Sequence, residues 1–199
     1  MKSLIFDFDG VIGDTFEPSA EFIAKHARIG LPRARAILVK DGMKNHKDTL
    51  VYRVIKNWYY RKLLSFFQSR DAKVFVDRIQ EIKKNWPENP KAILTRSDSR
   101  VCRALLGEDE NLFEFIIGRD QVSAKSDGLK IVTLSSRFKL EDCIFFTDSV
   151  GDYMEMSKVL KPEQIYAVSW GFQPREILEK VFKKEMIIDS FDGLETVIN

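Results

Sequence analysis

Cysteine and histidine are scarce in this sequence of 199 residues, which contains two residues of each type. Cys102 and Cys143 lie far apart and do not have the close spacing of cysteines that bind a metal ion. The sequence therefore gives no indication of a structural zinc site. We expect both thiols to be reduced and buried.

Long apolar stretches are also absent, and no run approaches the ~20 residues of a membrane-spanning helix. Near the start, Lys2 precedes only a few apolar residues before Asp7, which does not resemble a signal peptide. Apolar residues make up 44% of the chain and charged residues 31%, as in soluble globular proteins. We therefore expect a cytoplasmic protein that has no membrane partner.

The net charge is only +2, but it is unevenly distributed along the chain. Residues 14–88 contain 16 Lys/Arg and 9 Asp/Glu, a net charge of +7, whereas the remainder contains 16 and 21, a net charge of −5. Two interpretations stay open. The basic segment is either a solvated helical surface or a lid that attracts an anionic ligand to an acidic site.

The spacing of apolar residues divides the chain into two kinds of segment. From Glu17 to about Lys84 the apolar residues recur at helical spacing, which predicts about four helices and no strand. The other segment alternates short apolar runs with helices. Strands are predicted at 4–8, 92–94, 113–117, 143–146, 165–168 and 186–188. Helices are predicted between them at 99–106, 127–138, 153–160 and 175–182.

Alternation of strands and helices predicts parallel βαβ units with right-handed crossovers. The apolar runs show little internal alternation, as in strands that are buried on both faces. We therefore predict an α/β fold with a Rossmann-like parallel sheet. Residues 1–13 and 89–199 form this catalytic core in our interpretation, and residues 14–88 form an inserted α-helical cap domain.

Four aspartates follow the ends of predicted strands. Asp7 and Asp9 end the first strand, and Asp148 follows the strand at 143–146, with Asp152 four residues further on. Ligands of open parallel sheets bind at the carboxyl ends of the strands, so we expect these side chains to share one cleft. Converging carboxylates repel one another unless a cation is present. Hard oxygen ligands with room for water and phosphate favour Mg²⁺.

Groups that suit a phosphate lie at other strand ends. Thr95 offers a hydroxyl group and nearby backbone N–H groups, and Lys125 offers a positive charge before a predicted helix. Arg96 directly follows Thr95, and we assign it to the same phosphate-binding loop. The sequence therefore predicts a phosphate-binding site beside the aspartates.

At these residues the sequence resembles the haloacid dehalogenase superfamily, in particular its helical-cap branch of phosphoglycolate phosphatases and β-phosphoglucomutases. The likeness rests on DFDGVIGDT at 7–15, ILT at 93–95, Lys125, FFTDSVGD at 145–152 and VSWGF at 168–172. It spans the whole chain. Its first and fourth motifs are the specific ones.

The resemblance implies a Mg²⁺-dependent phosphatase that hydrolyses a small phosphate monoester. Asp7 would be the nucleophile that forms an aspartyl-phosphate, and Asp9 would act as the acid and then as the base. Asp7, Asp9 through its backbone carbonyl, Asp148 and Asp152 would form the metal site. Thr95 and Lys125 would hold the phosphate.

Three features of this sequence depart from the motifs of that branch. Arg96 stands where a small or amide residue is usual, and Thr147 replaces the glycine that usually precedes Asp148. Lys125 lacks the proline that often follows the lysine of the third motif, and Lys130 is an alternative to it.

The substrate is expected to be a small phosphorylated metabolite. Lys44, Asn45 and His46 occupy the cap loop that often faces the active site in this branch, so they are candidate specificity residues. Two alternatives remain open: a phosphotransferase or phosphomutase of the same branch, and a non-catalytic regulatory protein that binds an anion through its basic cap. We expect no nucleic-acid partner, and the sequence does not define the oligomeric state.

Overall fold

A computed structural model describes residues 1–42, 61–70 and 72–198. Six strands form one sheet, in which every neighbouring pair is parallel. These strands are β1 (Ser3–Phe6), β4 (Lys91–Leu94), β5 (Phe115–Ile117), β6 (Cys143–Thr147), β7 (Ile165–Val168) and β8 (Ile187–Ile188). Their order across the sheet is β5-β4-β1-β6-β7-β8. The first strand therefore lies at the centre, and the strand order reverses between β1 and β6.

Both faces of the sheet are covered, as the unbroken apolar runs predict. Leu4 and Phe6 of β1 belong to the buried cluster on one face, and Ile5 between them belongs to the cluster on the other face. This alternation follows from the two-residue period of a strand. The Rossmann-like α/β core predicted from the sequence is confirmed.

Some of the helices cover the sheet, and others form an insertion in the chain between β1 and β4. They are α1 (Phe16–Ala27), α2 (Leu31–Asp41), α3 (residues 61–69), α4 (Val76–Asn85), α5 (Ser99–Leu106), α6 (Lys125–Val132), α7 (Val150–Met156), α8 (Arg175–Leu178) and α9 (Glu195–Ile198). None of the helices in the described ranges is long and apolar enough to cross a membrane.

The insertion starts and ends at a two-stranded antiparallel ribbon. Strands β2 (Gly13–Asp14) and β3 (Lys73–Val74) pair with each other and enclose α1, α2 and α3 in the sequence. The sequence pattern predicted no strand here, because two residues are too few to show a two-residue period. Phe22, Leu63, Phe66 and Phe67 pack together inside the insertion.

Helix α4 packs on the sheet rather than on the insertion. Its Ile79 and Ile82 are fully buried in the same cluster as Phe6. The sequence analysis placed residues 76–85 within the cap, because helical periodicity identifies a buried face but not the layer that covers it. In the structure the chain has therefore returned to the core by α4.

The two cysteines lie in the core, where burial raises the pKa of the Cys102 thiol well above its ordinary value and that of Cys143 to about 12. A raised pKa keeps a thiol protonated at neutral pH, and the thiolate is the reactive form. We therefore predict that Ellman's reagent modifies neither cysteine in the folded protein and modifies both in denaturant. Rapid modification of one thiol without denaturant would contradict this placement.

Candidate active site

A cavity of about 250 Å³ lies between the sheet and the insertion. It opens at the carboxyl ends of β1 and β6, where the strand order reverses and where open α/β sheets bind their ligands. All four predicted aspartates line it: Asp7, Asp9, Asp148 and Asp152. The structure therefore brings together residues that lie up to 145 positions apart.

Lys125 joins two of these carboxylates. Its Nζ lies 2.7 Å from Oδ1 of Asp7 and 2.5 Å from Oδ2 of Asp152. All three side chains are buried, and Lys125 is the first residue of α6. The alternative lysine, Lys130, lies on the solvent side of α6 and pairs with Asp127. The structure thus places Lys125 beside Asp7, and its predicted role in binding phosphate stays a prediction.

Asp152 is held by the protein on both of its oxygens. Oδ2 also accepts a hydrogen bond of 2.8 Å from the hydroxyl group of Thr147, and Oδ1 lies 3.3 Å from Nε of Arg96. The threonine that replaces the usual glycine before Asp148 therefore orients Asp152. Sequence comparison with the motif alone did not suggest this role.

Asp9 is fixed by two hydroxyl groups. Oδ1 accepts a hydrogen bond of 2.7 Å from Thr15, and Oδ2 accepts a short one from Ser97. Thr15 immediately precedes α1 of the insertion, and Ser97 follows β4. The sequence analysis gave neither residue a role, since a single serine or threonine in a loop carries no distinctive signal.

Asp148 lies in a narrow space between two backbone segments. Its Oδ2 accepts a hydrogen bond of 2.6 Å from the amide of Phe172. A Cβ atom at either Gly10 or Gly171 would overlap the Asp148 side chain, and Gly10 also has a left-handed φ of 75°. Both glycines are therefore required for the close approach of the backbone to this carboxylate.

Burial and charge shift the pKa values of these groups in opposite directions. Burial raises the pKa of Asp7 well above its ordinary value and that of Asp148 to about 7. Burial also favours neutral Asp152 and neutral Lys125, but their mutual attraction lowers the pKa of Asp152 and raises that of Lys125. Lys125 and Asp152 are therefore a charged pair, whereas a further cation would favour the ionised forms of Asp7 and Asp148.

The predicted phosphate-binding residues lie at the same edge of the sheet. Thr95 is buried, and its hydroxyl oxygen accepts a hydrogen bond of 3.0 Å from the amide of Ser97. Thr95 and Lys125 line a second cavity of about 20 Å³, which shares Arg96 and Arg119 with the first. Arg119, which follows β5, is a second arginine in the lining of both cavities. The sequence analysis did not single it out.

The end of α2 meets the start of α7 beside the cavity. The side chain of Gln173, which is fully buried, donates from Nε2 to the carbonyl of Val39 and accepts at Oε1 from the amide of Val150. The carbonyl of Gly42 accepts from the hydroxyl of Ser149 and from the amide of Gly151, each at 2.7 Å. These bonds attach the insertion to the helix that carries Asp152.

The described residues of the insertion that line the cavity are mostly apolar. They include Ile23, Leu38, Leu63 and Phe67, and they also include the polar residues Ser19 and Asp41. The predicted specificity residues Lys44, Asn45 and His46 lie outside the described residues.

Several basic residues of the insertion have acidic or aromatic partners within it. Arg35 pairs with Glu17 and Arg70 with Glu21, while Lys25 lies over the ring of Phe66. For these residues the structure favours the interpretation of the basic segment as an ordinary helical surface.

The donors present fit a divalent cation at Asp7 and Asp148. The described protein contacts of Asp7 use Oδ1 and those of Asp148 use Oδ2, which leaves a second oxygen on each for a cation. Within the described ranges, no three His, Cys, Asp or Glu side chains are grouped as a ready-made metal site. This agrees with the engagement of the Asp9 and Asp152 side chains by protein groups. The assignment of Asp9, through its backbone carbonyl, and of Asp152 as Mg²⁺ ligands stays a prediction.

Comparisons of the sequence with known protein families and with curated proteins found no match. Solved structures do match across the whole chain. A predicted phosphatase from Clostridium acetobutylicum has a TM-score of 0.71 at 18% identity, and the match covers 99% of this chain and 97% of that one.

Two further structures give the same result. A haloacid dehalogenase-like hydrolase from Streptococcus pneumoniae matches with a TM-score of 0.71 and 17% identity, over 100% of this chain and 99% of that one. CbbY from Rhodobacter sphaeroides, solved with phosphate, matches with a TM-score of 0.67 and 18% identity, over 98% and 99%. The chain thus has the fold of haloacid dehalogenase-like hydrolases.

The raised pKa of Asp148 predicts a pH-dependent stability of the metal-free protein. Between about pH 4 and pH 7 the folded state keeps a proton on Asp148 that the unfolded state releases, so the free energy of unfolding falls as the pH rises. Asp148→Asn removes this ionisation and keeps an oxygen for the amide of Phe172. In chelator at pH 8 we expect it to stabilise the fold by roughly 1–4 kcal/mol.

Denaturant unfolding of both proteins from pH 4 to pH 8 measures the effect. The difference between them should shrink towards pH 4. A constant difference across this range would mean that folding does not raise the pKa of Asp148.

Proposed function

We propose that the protein is a phosphatase that hydrolyses a small phosphate monoester through an aspartyl-phosphate on Asp7. The observation that carries the proposal is the contact of Asp7 Oδ1 with Lys125 at 2.7 Å inside a cavity lined by three further aspartates. Phosphoryl transfer to a carboxylate requires a nucleophile, a nearby cation and a general acid. The fold shared with the predicted phosphatase from Clostridium acetobutylicum supports it.

In this proposal the residues of the chain have separate tasks. Lys125 holds Oδ1 of Asp7 and so orients the carboxylate for attack on the phosphorus atom. Asp9, fixed by Thr15 and Ser97, protonates the leaving oxygen and then takes a proton from the attacking water. The buried position of Lys125 strengthens the attraction of its ammonium group for phosphoryl oxygens.

The cation expected at Asp7 and Asp148 is Mg²⁺. When bound, it would neutralise charge that develops on the phosphoryl oxygens. The proposed substrate is a small phosphorylated metabolite in the cytoplasm. Transfer of the phosphoryl group to a second hydroxyl group would use the same residues, and release of inorganic phosphate distinguishes hydrolysis from transfer.

Asp7→Asn and Asp9→Asn should give different losses. Asp7→Asn removes the nucleophile, so turnover and the phosphoenzyme should both disappear. The Asp9→Asn enzyme keeps Asp7 and can still attack a nitrophenyl ester, whose leaving group needs no proton. Its loss of activity on an alkyl phosphate should exceed its loss on the nitrophenyl ester by about 10²–10⁴-fold. Initial rates on the two esters and rapid-quench labelling measure these outcomes.

The two variants control for each other, since both change a carboxylate to an amide in the same loop. A phosphoenzyme that still forms in Asp7→Asn and is sensitive to hydroxylamine would show that another residue is the nucleophile. If dephosphorylation limits the Asp9→Asn enzyme, the labelled intermediate should accumulate.

Hydrolysis should require Mg²⁺. We expect activity on an aryl phosphate to vanish in EDTA and to return when Mg²⁺ is added in excess, because Asp7 and Asp148 do not both ionise readily without a cation. Calorimetric titration of the metal-free protein with Mg²⁺ gives a readout besides activity. Full turnover in EDTA would contradict the proposed site.

A further inference from the structure

We propose that Arg96 and Glu155 form a positioning pair that aims the ammonium group of Lys125 at Asp7. The inference rests on the proposed function and assigns a role to two charged residues that flank the site. Arg96 Nη2 lies 3.1 Å from Oε2 of Glu155. Glu155 is buried, and Arg96 borders both cavities.

The pair acts on the ammonium end of Lys125 through Asp152. Lys125 Nζ contacts Oδ2 of Asp152 at 2.5 Å, while the Nε group of Arg96 lies 3.3 Å from Oδ1 of the same carboxylate. The carboxylate is therefore held between two cations. Since Asp152 fixes the ammonium group, the guanidinium that fixes Asp152 also determines where the ammonium group lies.

The pair acts on the backbone end of Lys125 through Ser126. Oε1 of Glu155 accepts a hydrogen bond of 3.0 Å from the amide of Ser126, which directly follows Lys125. Helix α6 begins after Ala124, whose side chain cannot cap the helix. A carboxylate at a helix start satisfies a free amide and interacts favourably with the helix dipole. Glu155 of α7 therefore supplies the cap that α6 lacks.

Glu155 needs Arg96 in return. A buried carboxylate that has no cationic partner is strongly unfavourable, so the glutamate at the start of α6 depends on the arginine. Arg96 thus contacts the two acidic groups that fix the two ends of Lys125. This explains an arginine where related sequences usually have a small or amide residue.

A direct role of Arg96 in binding the phosphoryl group, as the sequence analysis assigned it, predicts a different pattern of kinetics. A phosphate ligand contributes to substrate affinity, so its loss raises KM and weakens inhibition by inorganic phosphate. A positioning residue acts on the nucleophile, so its loss lowers kcat and leaves KM nearly unchanged. Glu155 carries a negative charge and would not bind phosphate in either case, which makes it the discriminating position.

Glu155→Gln should lower kcat on an aryl phosphate about 10- to 100-fold with little change in KM, the usual loss when a supporting group is removed. Arg96→Met should give a similar loss of kcat. Because the two residues act through one another, the double variant should lose much less than the product of the two single losses. Arg96→Lys should recover part of the activity, since a lysine keeps the charge but cannot reach both carboxylates with a planar fork.

Glu179→Gln is the matched control. Glu179 pairs with Arg175 at 2.8 Å, but this pair is partly exposed and lies outside the residues that line the cavities. Its kinetics should equal those of the unmodified protein. Thermal unfolding of each variant shows whether a loss of activity reflects a loss of fold. If Glu155→Gln does not fold, the comparison of Arg96→Met with Arg96→Lys carries the test.

The results separate this inference from the proposed function. Turnover by the unmodified protein that Asp7→Asn abolishes supports the function, and unchanged kcat in Glu155→Gln would then overturn the positioning pair alone. A raised KM in Arg96→Met with normal kinetics in Glu155→Gln would also overturn it, in favour of direct phosphate binding. No turnover of any phosphate ester with Mg²⁺ present would instead reject the proposed function.

Discussion

The contact of Lys125 with Asp7 and Asp152 is the interaction on which the site depends. An ammonium group and two carboxylates are buried together, and each would be unstable there without the others. The arrangement requires that the end of β1 and the first turns of α6 and α7 meet at one point. The central position of β1 and the reversal of the strand order beside it provide this meeting point.

The acidic side chains around the cavity outnumber the cations that pair with them. Among the described residues, five acidic side chains at this edge of the sheet are each held by specific donors, namely Asp7, Asp9, Asp148, Asp152 and Glu155. Hydroxyl and amide groups fix the geometry without adding charge, and Lys125 and Arg96 supply positive charge. Protein groups therefore fix the positions of these carboxylates, and a bound cation would offset the negative charge that remains.

The sequence predicted the parts of this site that follow from local pattern. Strands β1 and β6 were recognisable as apolar runs, and Asp7 and Asp148 follow their ends. Other features depend on which elements meet in space, so no local pattern reveals them. Gln173 looks like an ordinary loop residue until its side chain is found between Val39 and Val150. Helix α4 has the same periodicity as a cap helix, yet it packs against Phe6.

The charge of the insertion shows the same limit. The net charge of the insertion follows from its composition. Which of its surfaces carries that charge depends on where each charged side chain lies and on its partners. Arg35 and Arg70 have carboxylate partners within the insertion, while the wall that faces the cavity contains Ile23 and Leu38. The bounds of strand β7, in contrast, were predicted as 165–168 and are observed at Ile165–Val168.

The docking of α2 on α7 connects the position of the insertion with the order of the segment that carries Asp152. The amides of Val150 and Gly151 find their acceptors in Gln173 and Gly42, so displacement of α2 removes the Gly42 acceptor and leaves Gln173 without Val39. Thermodynamic linkage then works in both directions. A ligand that orders the start of α7 favours the docked insertion to the same degree that docking favours the ligand.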